Sequence, residues 1–133
     1  MTRQVFHIAT QRKRQVVDIT GQVGDIIRDA GMRDGVVVLS LLHTTAALTT
    51  ADLDPGTDLD MLDAFAALIP SLPYRHPHDP SHVPDHILSA LIGTSLTLVV
   101  EKGSLALGTW QRVVLVEFNG PRQRRIAFRF LRS

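Results

Sequence analysis

Three histidines stand where predicted secondary structure meets a loop, and imidazole suits metal binding or proton transfer near neutral pH. His43 follows a strongly apolar stretch, His76 lies in a proline-rich segment, and His86 falls in the first turn of a predicted helix. Neutral imidazole nitrogens bind zinc and similar metals, and three of them with a water leave an open catalytic position. Because the three lie far apart in the sequence, only the fold could gather them. The alternative is that they are solvated or hydrogen-bonded side chains without a shared role.

Two local histidine pairs are weaker candidates for a metal site. His82 and His86 are four residues apart, which is a metal spacing only if both lie on a helix. Pro84 suits the first position of a helix and predicts that the helix begins between them. His76 and His78 alternate along an extended segment, so we expect at most one of them to point inward.

Other polar residues adjoin predicted strand ends, where hydroxyls and backbone N–H groups can hold a phosphate. The hydroxyl residues in such places are Thr44, Thr45, Thr94, Ser95 and Thr109. Asp52 could act as a general base, orient a histidine or bind a metal; it could equally be a solvated loop residue. Glu117 lies in an apolar strand, where an unpaired carboxylate is costly to bury, so we expect an ion pair with an arginine of the final strand.

The composition bounds the class of protein. A chain of 133 residues with 44% hydrophobic content predicts one globular domain over residues 1–133. No apolar run approaches the ~20 residues of a membrane span, and the N-terminus has no apolar signal core, so a cytoplasmic location is expected. The absence of cysteine excludes thiolate catalysis, iron–sulfur ligation and disulfides. The net charge of +1 does not favour nucleic-acid binding, although arginines near the C-terminus leave RNA binding as a minor alternative.

Hydrophobic periodicity predicts about three helices packed on a largely antiparallel sheet, an α+β fold. Helices are expected to begin near Thr20, Thr57 and Pro84. The proline-rich loop over residues 70–83 is long for a compact domain, and such loops are more often functional than idle.

The strand predictions are more specific about pairing. Segments 5–9 and 15–19 are predicted to form an opening hairpin, and residues 95–131 an antiparallel meander. The nearly unbroken apolar run over 36–42 predicts a central strand covered on both faces.

Six motifs follow one another through nearly the whole chain: His43-Thr-Thr-Ala-Ala, Tyr74-Arg-His76, Pro84-Asp-His86-Ile, Gly93-Thr-Ser-Leu-Thr-Leu, Leu107-Gly-Thr-Trp-Gln111 and Glu117-Phe-Asn-Gly-Pro-Arg122. In order and approximate spacing they resemble the motifs of the YjbQ family, whose members are often described as secondary thiamine-phosphate synthases. The resemblance implies a compact α+β subunit that forms a homotrimer, with its characteristic histidines in a polar pocket near a subunit interface.

The resemblance also implies site residues. A divalent metal, zinc first and magnesium as an alternative with a diphosphate substrate, would be held by His43, His76 and His86. Substrate-binding hydroxyl and amide positions match Thr44, Thr45, Ser95 and Gln111, and the catalytic roles match Asp52, His43 and His86. The remaining histidines, His7, His78 and His82, do not match the recurrent pattern.

The implied reaction joins hydroxymethylpyrimidine diphosphate to a thiazole phosphate and releases pyrophosphate, whose developing charge needs cations or donors. Two alternatives stay open: metal-dependent hydrolysis of a phosphorylated metabolite, and a metabolite-binding trimer without turnover. One departure from the family pattern bears on the choice between these functions. Where the family typically has Thr-x-Asn-Glu-Asn, this chain has Thr49-Thr50-Ala51-Asp52-Leu53, so both asparagines are replaced and Asp52 takes the glutamate position.

Overall fold

Strands and short helices follow one another along the chain, and the computed structural model describes residues 4–133. The helices are α1 (Thr20–Asp29), α2 (Thr57–Leu68) and α3 (Val83–Ile92), the last preceded by a 3-10 turn at Pro80–His82. The strands are β1 (Val5–Ala9), β2 (Gln15–Asp18), β3 (Gly35–Leu41), β4 (Ala46–Ala51), β5 (Ser95–Glu101), β6 (Ser104–Leu105), β7 (Arg112–Glu117) and β8 (Gln123–Arg132).

The strands form two antiparallel sheets, ordered β1-β8-β3-β5-β6 and β2-β7-β4. This confirms the predicted single α+β domain with antiparallel sheets and three helices. The predicted opening hairpin is wrong, because β1 pairs with β8 and β2 with β7. The connection between them bonds instead to the β7–β8 turn, since Thr10 N–H donates to the Arg122 carbonyl at 2.8 Å and Gly120 N–H to the Lys13 carbonyl at 2.9 Å. The predicted meander over residues 95–131 is also wrong, because β7 pairs with β2 and β4 in the second sheet while β8 pairs with β1 and β3 in the first.

The two sheets face each other across the main hydrophobic core, to which α1 also contributes. A second, smaller core lies between the outer face of the β2-β7-β4 sheet and helices α2 and α3. Strand β7 therefore has apolar side chains on both faces: Val113 and Leu115 face the main core, while Val114 and Val116 face the helices.

Strand β3 was expected to be covered on both faces, and a single chain covers only one. Val37, Leu39 and Leu41 are buried in the main core, whereas the alternate residues Val36 and Val38 remain half-buried. Its second apolar row therefore lies on the outer face of the larger sheet.

Helix α3 begins at Val83, with Pro84 in its first turn, and ends before Gly93, as predicted. His82 precedes the helix, which confirms that His82 and His86 do not share one helical face. Every side chain of α2 remains at least partly exposed, including Leu59 and Leu68, each more than half exposed. Over residues 4–133, the helices are too short or too polar to cross a membrane.

Candidate functional site

Three segments meet in an open cleft of about 480 Å³, which we call the histidine cleft. The segment after β3 contributes one histidine, the loop before α3 and α3 itself contribute others, and the β7–β8 turn contributes arginine. The residues that face the cleft include His43, Thr44, Thr45, His76, His86 and Arg122. The fold thus brings together the three histidines and two threonines named from the sequence.

His43 reaches the cleft because β3 pairs with β8, which sets the residues after β3 beside Arg124 and Arg125. The backbone N–H of Arg125 donates to His43 Nε2 at 2.9 Å. A ring nitrogen that accepts carries no proton, so the neutral His43 ring carries its proton on Nδ1. Burial lowers the pKa of His43 below its ordinary value, and the nearby Arg124 and Arg125 charges lower it further. His43 is therefore a neutral imidazole with an N–H donor.

His76 is held in the opposite tautomer. Its Nδ1 accepts from the backbone N–H groups of His78 at 3.3 Å and Asp79 at 3.1 Å. The ring proton therefore lies on Nε2, the nitrogen that remains to meet a ligand. The His76 ring stacks on that of His86, with centroids 5.1 Å apart and planes inclined by 15°.

A buried ion pair forms the floor of the cleft and confirms the expected partner of Glu117. Arg124 Nε donates to Glu117 Oε1 at 2.9 Å, and the second guanidinium nitrogen bonds Glu117 Oε2. That nitrogen also donates to Thr45 Oγ1 at 2.9 Å. Burial alone would raise the pKa of Glu117, but hydrogen bonds from Arg124, Thr10 and Asn119 bring it below its ordinary value. Thr45 thus supports Arg124 from the cleft side.

In a single chain, three other residues named from the sequence do not line the cleft: Asp52, Ser95 and Gln111. Asp52 follows β4, whose six residues at roughly 3.3 Å each carry the chain about 20 Å from Thr45. Gln111 lies at that same far edge, where its side chain donates to Thr50 Oγ1 at 2.9 Å. Asp52 Oδ1 accepts from the Asp54 N–H at 2.9 Å, a local turn bond. Ser95 is exposed at the start of β5 and pairs with Ser40.

The histidines as placed do not form a metal centre. Within residues 4–133, no three histidine or carboxylate side chains are grouped closely enough to hold one ion. The lone pairs of His43 Nε2 and His76 Nδ1 already accept backbone N–H groups, and a stacked imidazole pair does not direct two nitrogens to one point. The cleft therefore offers a ligand N–H donors and guanidinium groups.

Sequence reasoning did not assign the turn residues or two further histidines to the site. Asn119 and Arg122 face the cleft from the β7–β8 turn, where Arg122 Nε donates to the Asn119 carbonyl at 2.7 Å. His78 and His82 also face it. The available signal was the Glu117-to-Arg122 motif. Its turn residues precede β8, and the antiparallel pairing of β8 with β3 sets them beside the end of β3.

The site belongs to a chain with clear relatives. The sequence profile described as "UPF0047 protein YjbQ-like" matches residues 4–133. The chain belongs to the YjbQ family. A UPF0047 protein of Archaeoglobus fulgidus is 37% identical to this YjbQ chain over 125 residues, which cover 93% of this chain and 97% of the relative. The protein YugU of Bacillus subtilis is 33% identical over 122 residues, covering 91% and 92%.

Solved YjbQ-like structures have the same fold. A hypothetical protein from Aeropyrum pernix matches with a TM-score of 0.90 and 33% identity over 100% of both chains. A YbjQ-like protein of unknown function from Sulfolobus solfataricus matches with a TM-score of 0.89 and 30% identity, covering 98% and 96%. The six sequence motifs thus identified the YjbQ family correctly.

Proposed function

We propose that the histidine cleft binds the phosphate or diphosphate group of a small metabolite and that this YjbQ chain catalyses a transfer reaction that releases pyrophosphate. The observation that carries this proposal is the pair of fixed tautomers. Because His43 and His76 both accept backbone N–H groups, each has an N–H left to donate. Donor groups of this kind, together with a guanidinium, suit a phosphate oxygen.

The cleft also supplies positive charge where an anion would enter. Arg122 is exposed at its rim, and its Nε bond to the Asn119 carbonyl leaves other guanidinium N–H groups for a ligand. Arg124 is committed to Glu117 and Thr45, so we assign it to the floor and not to the ligand. The hydroxyl of exposed Thr44 adds a further donor.

The reaction we propose is the one that the YjbQ resemblance implies. The thiazole phosphate's ring nitrogen attacks the methylene carbon of hydroxymethylpyrimidine diphosphate, a C–N bond forms, and the C–O bond to the diphosphate breaks. The bonding electrons leave with pyrophosphate, so negative charge grows on its oxygens. Donors already in place at His43, His76 and Arg122 would stabilise that charge without reorganising.

Binding without turnover is the second candidate, and one observation favours it. Asp52 and Gln111, which the resemblance associates with catalysis and substrate, lie at the far edge of the smaller sheet in a single chain. A site that lacks them could hold a phosphorylated metabolite without converting it.

One assay separates the two candidates. We expect the protein, given both phosphorylated substrates, to produce thiamine phosphate and pyrophosphate in equal amounts, with Arg122→Ala reducing kcat/KM about tenfold to hundredfold. Arg132→Ala, at the opposite end of β8, is the matched control and should retain the wild-type rate. Saturable binding of the diphosphate substrate without product would favour the second candidate, and no binding at all would refute both.

The zinc prediction is tested in the same assay. The protein is stripped with a chelator and then measured alone, with zinc and with magnesium. Dependence of the rate on zinc would support the metal expected from the resemblance, while an unchanged rate in the stripped protein would count against it.

We further propose the homotrimer that the resemblance implies. The support is apolar surface that one chain leaves uncovered: Leu59 and Leu68 on α2, and Val99 and Leu131 on the outer face of the larger sheet. Light scattering behind size-exclusion chromatography should give three times the chain mass. Leu68→Glu tests the α2 surface and Leu131→Glu tests the outer face of the larger sheet, and the variant that reduces the mass identifies the surface that forms the contact. A wild-type mass equal to one chain would contradict this proposal.

A further inference from the structure

The ring of His82 lies between two aspartates, an arrangement that neither the motifs nor the proposed reaction uses. His82 Nε2 is 3.1 Å from Asp79 Oδ2, and His82 Nδ1 is 3.1 Å from Asp85 Oδ2. The two ring nitrogens point in different directions, so one imidazole lies against both carboxylates, and it donates to both when each nitrogen carries a proton. Asp79 belongs to the proline-rich loop and Asp85 to α3, so the ring joins the loop to the helix.

Asp85 is a firm anchor for this contact. It is 3% exposed, in the first turn of α3 beside His86. Its other oxygen, Oδ1, lies 3.9 Å from the Arg14 guanidinium, too far for a hydrogen bond, so His82 is its nearest side-chain partner. A buried carboxylate needs donors, and this gives the His82 contact a strong reason to persist.

At the other end of this contact, Asp79 is hydrogen-bonded to His76. The side chain of Asp79 accepts from the Ser81 N–H at 3.0 Å and fixes the 3-10 turn that contains His82. The backbone N–H of Asp79 donates to His76 Nδ1 at 3.1 Å. Contacts therefore run from buried Asp85 through His82 and Asp79 to the ring that faces the cleft.

We infer that His82, held between Asp79 and Asp85, is a positioning residue that fixes the tautomer and orientation of His76 and so keeps its Nε2–H directed at the phosphate site. We call these three residues the Asp–His–Asp clasp. The clasp itself is a property of the free protein; only its purpose rests on the proposed function. Without it, the loop would lose its contact with buried Asp85 and keep only the stacking of His76 on His86 as a side-chain contact to α3, and the N–H groups that fix His76 would be held less firmly.

The test uses two measurements on the full-length protein without ligand. Nitrogen NMR of the histidine rings reports their tautomers, and amide hydrogen exchange reports how firmly the loop is held. Wild-type His76 should show a single tautomer with its proton on Nε2. In His82→Ala we expect a mixture of tautomers, and exchange of the His78 and Asp79 amides at least about tenfold faster. Because His82→Ala leaves buried Asp85 short of a donor, Asp79→Asn is the second variant. It keeps the backbone N–H and can still cap the 3-10 turn, yet removes one charge of the clasp, and it should shift His76 in the same direction.

His78→Ala is the matched control, since it removes an imidazole that packs edge-on against the His76 ring, with centroids 5.8 Å apart, but keeps the backbone N–H that bonds His76. It should leave the His76 tautomer unchanged. A wild-type tautomer and wild-type exchange in folded Asp79→Asn and His82→Ala would overturn the clasp. Titration with pyrophosphate is a separate readout: weaker binding in His82→Ala and Asp79→Asn than in the wild type is expected, whereas wild-type protein that binds no pyrophosphate refutes the proposed function and leaves the clasp result standing.

Discussion

Glu117→Gln is expected to lower the free energy of unfolding by about 3–5 kcal/mol, because it leaves the Arg124 guanidinium buried without its counter-charge. Arg124 and Glu117 are both almost completely buried. Glutamine keeps the shape of the side chain but removes the charge and replaces one accepting oxygen by an NH2 group, so the loss reports the ion pair with its hydrogen bonds and not a cavity. Urea unfolding followed by circular dichroism measures it.

The chain's other glutamate provides the matched control. Glu101 is exposed at the end of β5, so Glu101→Gln should change the free energy of unfolding by less than about 0.5 kcal/mol. Arg124→Met combined with Glu117→Gln should cost less than the two single changes added together, since neither partner is then left alone. Equal losses for Glu117→Gln and Glu101→Gln would contradict the buried pair.

The same pair predicts how stability depends on acid. The folded-state pKa of Glu117 lies below its ordinary 4.5, so the unfolded chain takes up a proton first as the pH falls. The contribution of Glu117 is therefore complete above pH 4.5 and is lost as the pH falls through the folded-state pKa. Glu117→Gln should lack that part of the acid sensitivity.

His43→Gln is expected to weaken pyrophosphate binding about tenfold to hundredfold, because a hydrogen bond to a charged group is worth about 1.5–3 kcal/mol. Glutamine can place its oxygen near the position of Nε2 and still accept the Arg125 N–H, but it lacks the Nδ1–H donor. Calorimetric titration at neutral pH measures the change. His7→Gln, an exposed histidine on β1 outside the cleft, should bind as the wild type does.

The pH dependence of stability provides a second readout for His43. Its folded-state pKa is below the ordinary 6.5, so the unfolded chain binds more protons and the stability contribution is present above pH 6.5. That contribution is lost as the pH falls from 6.5 through the lowered pKa, and His43→Gln should not show this loss. Identical pH profiles for the two proteins, with identical pyrophosphate affinity, would remove His43 from the site.

The sequence predicted the parts of this molecule that depend on local pattern. The helices begin at or next to the predicted Thr20, Thr57 and Pro84, and the partner of Glu117 followed from the cost of burying a lone carboxylate. His43, His76 and His86 all face one cleft, but as placed they do not form the shared metal site that the resemblance implied.

Pairing between strands was harder to predict, because alternation identifies a strand without identifying its neighbour. Segments 5–9 and 15–19 have the spacing of a hairpin, yet their connection bonds to a turn more than a hundred residues later. The His82 contacts could not be predicted from the sequence for a related reason. His82 is one of several histidines in the loop, and only the fold sets Asp79 and Asp85 on either side of its ring.

Mapping pyrophosphate on the amide spectrum of the metal-free wild-type protein tests the central claim most directly. We expect saturable shifts centred on Thr44, Asn119 and Arg122, with the His43 and His76 ring nitrogens shifting at the same concentrations and keeping their tautomers. Shifts confined to the region around Asp52 and Gln111, or no saturable shift at all, would contradict a phosphate site in the histidine cleft.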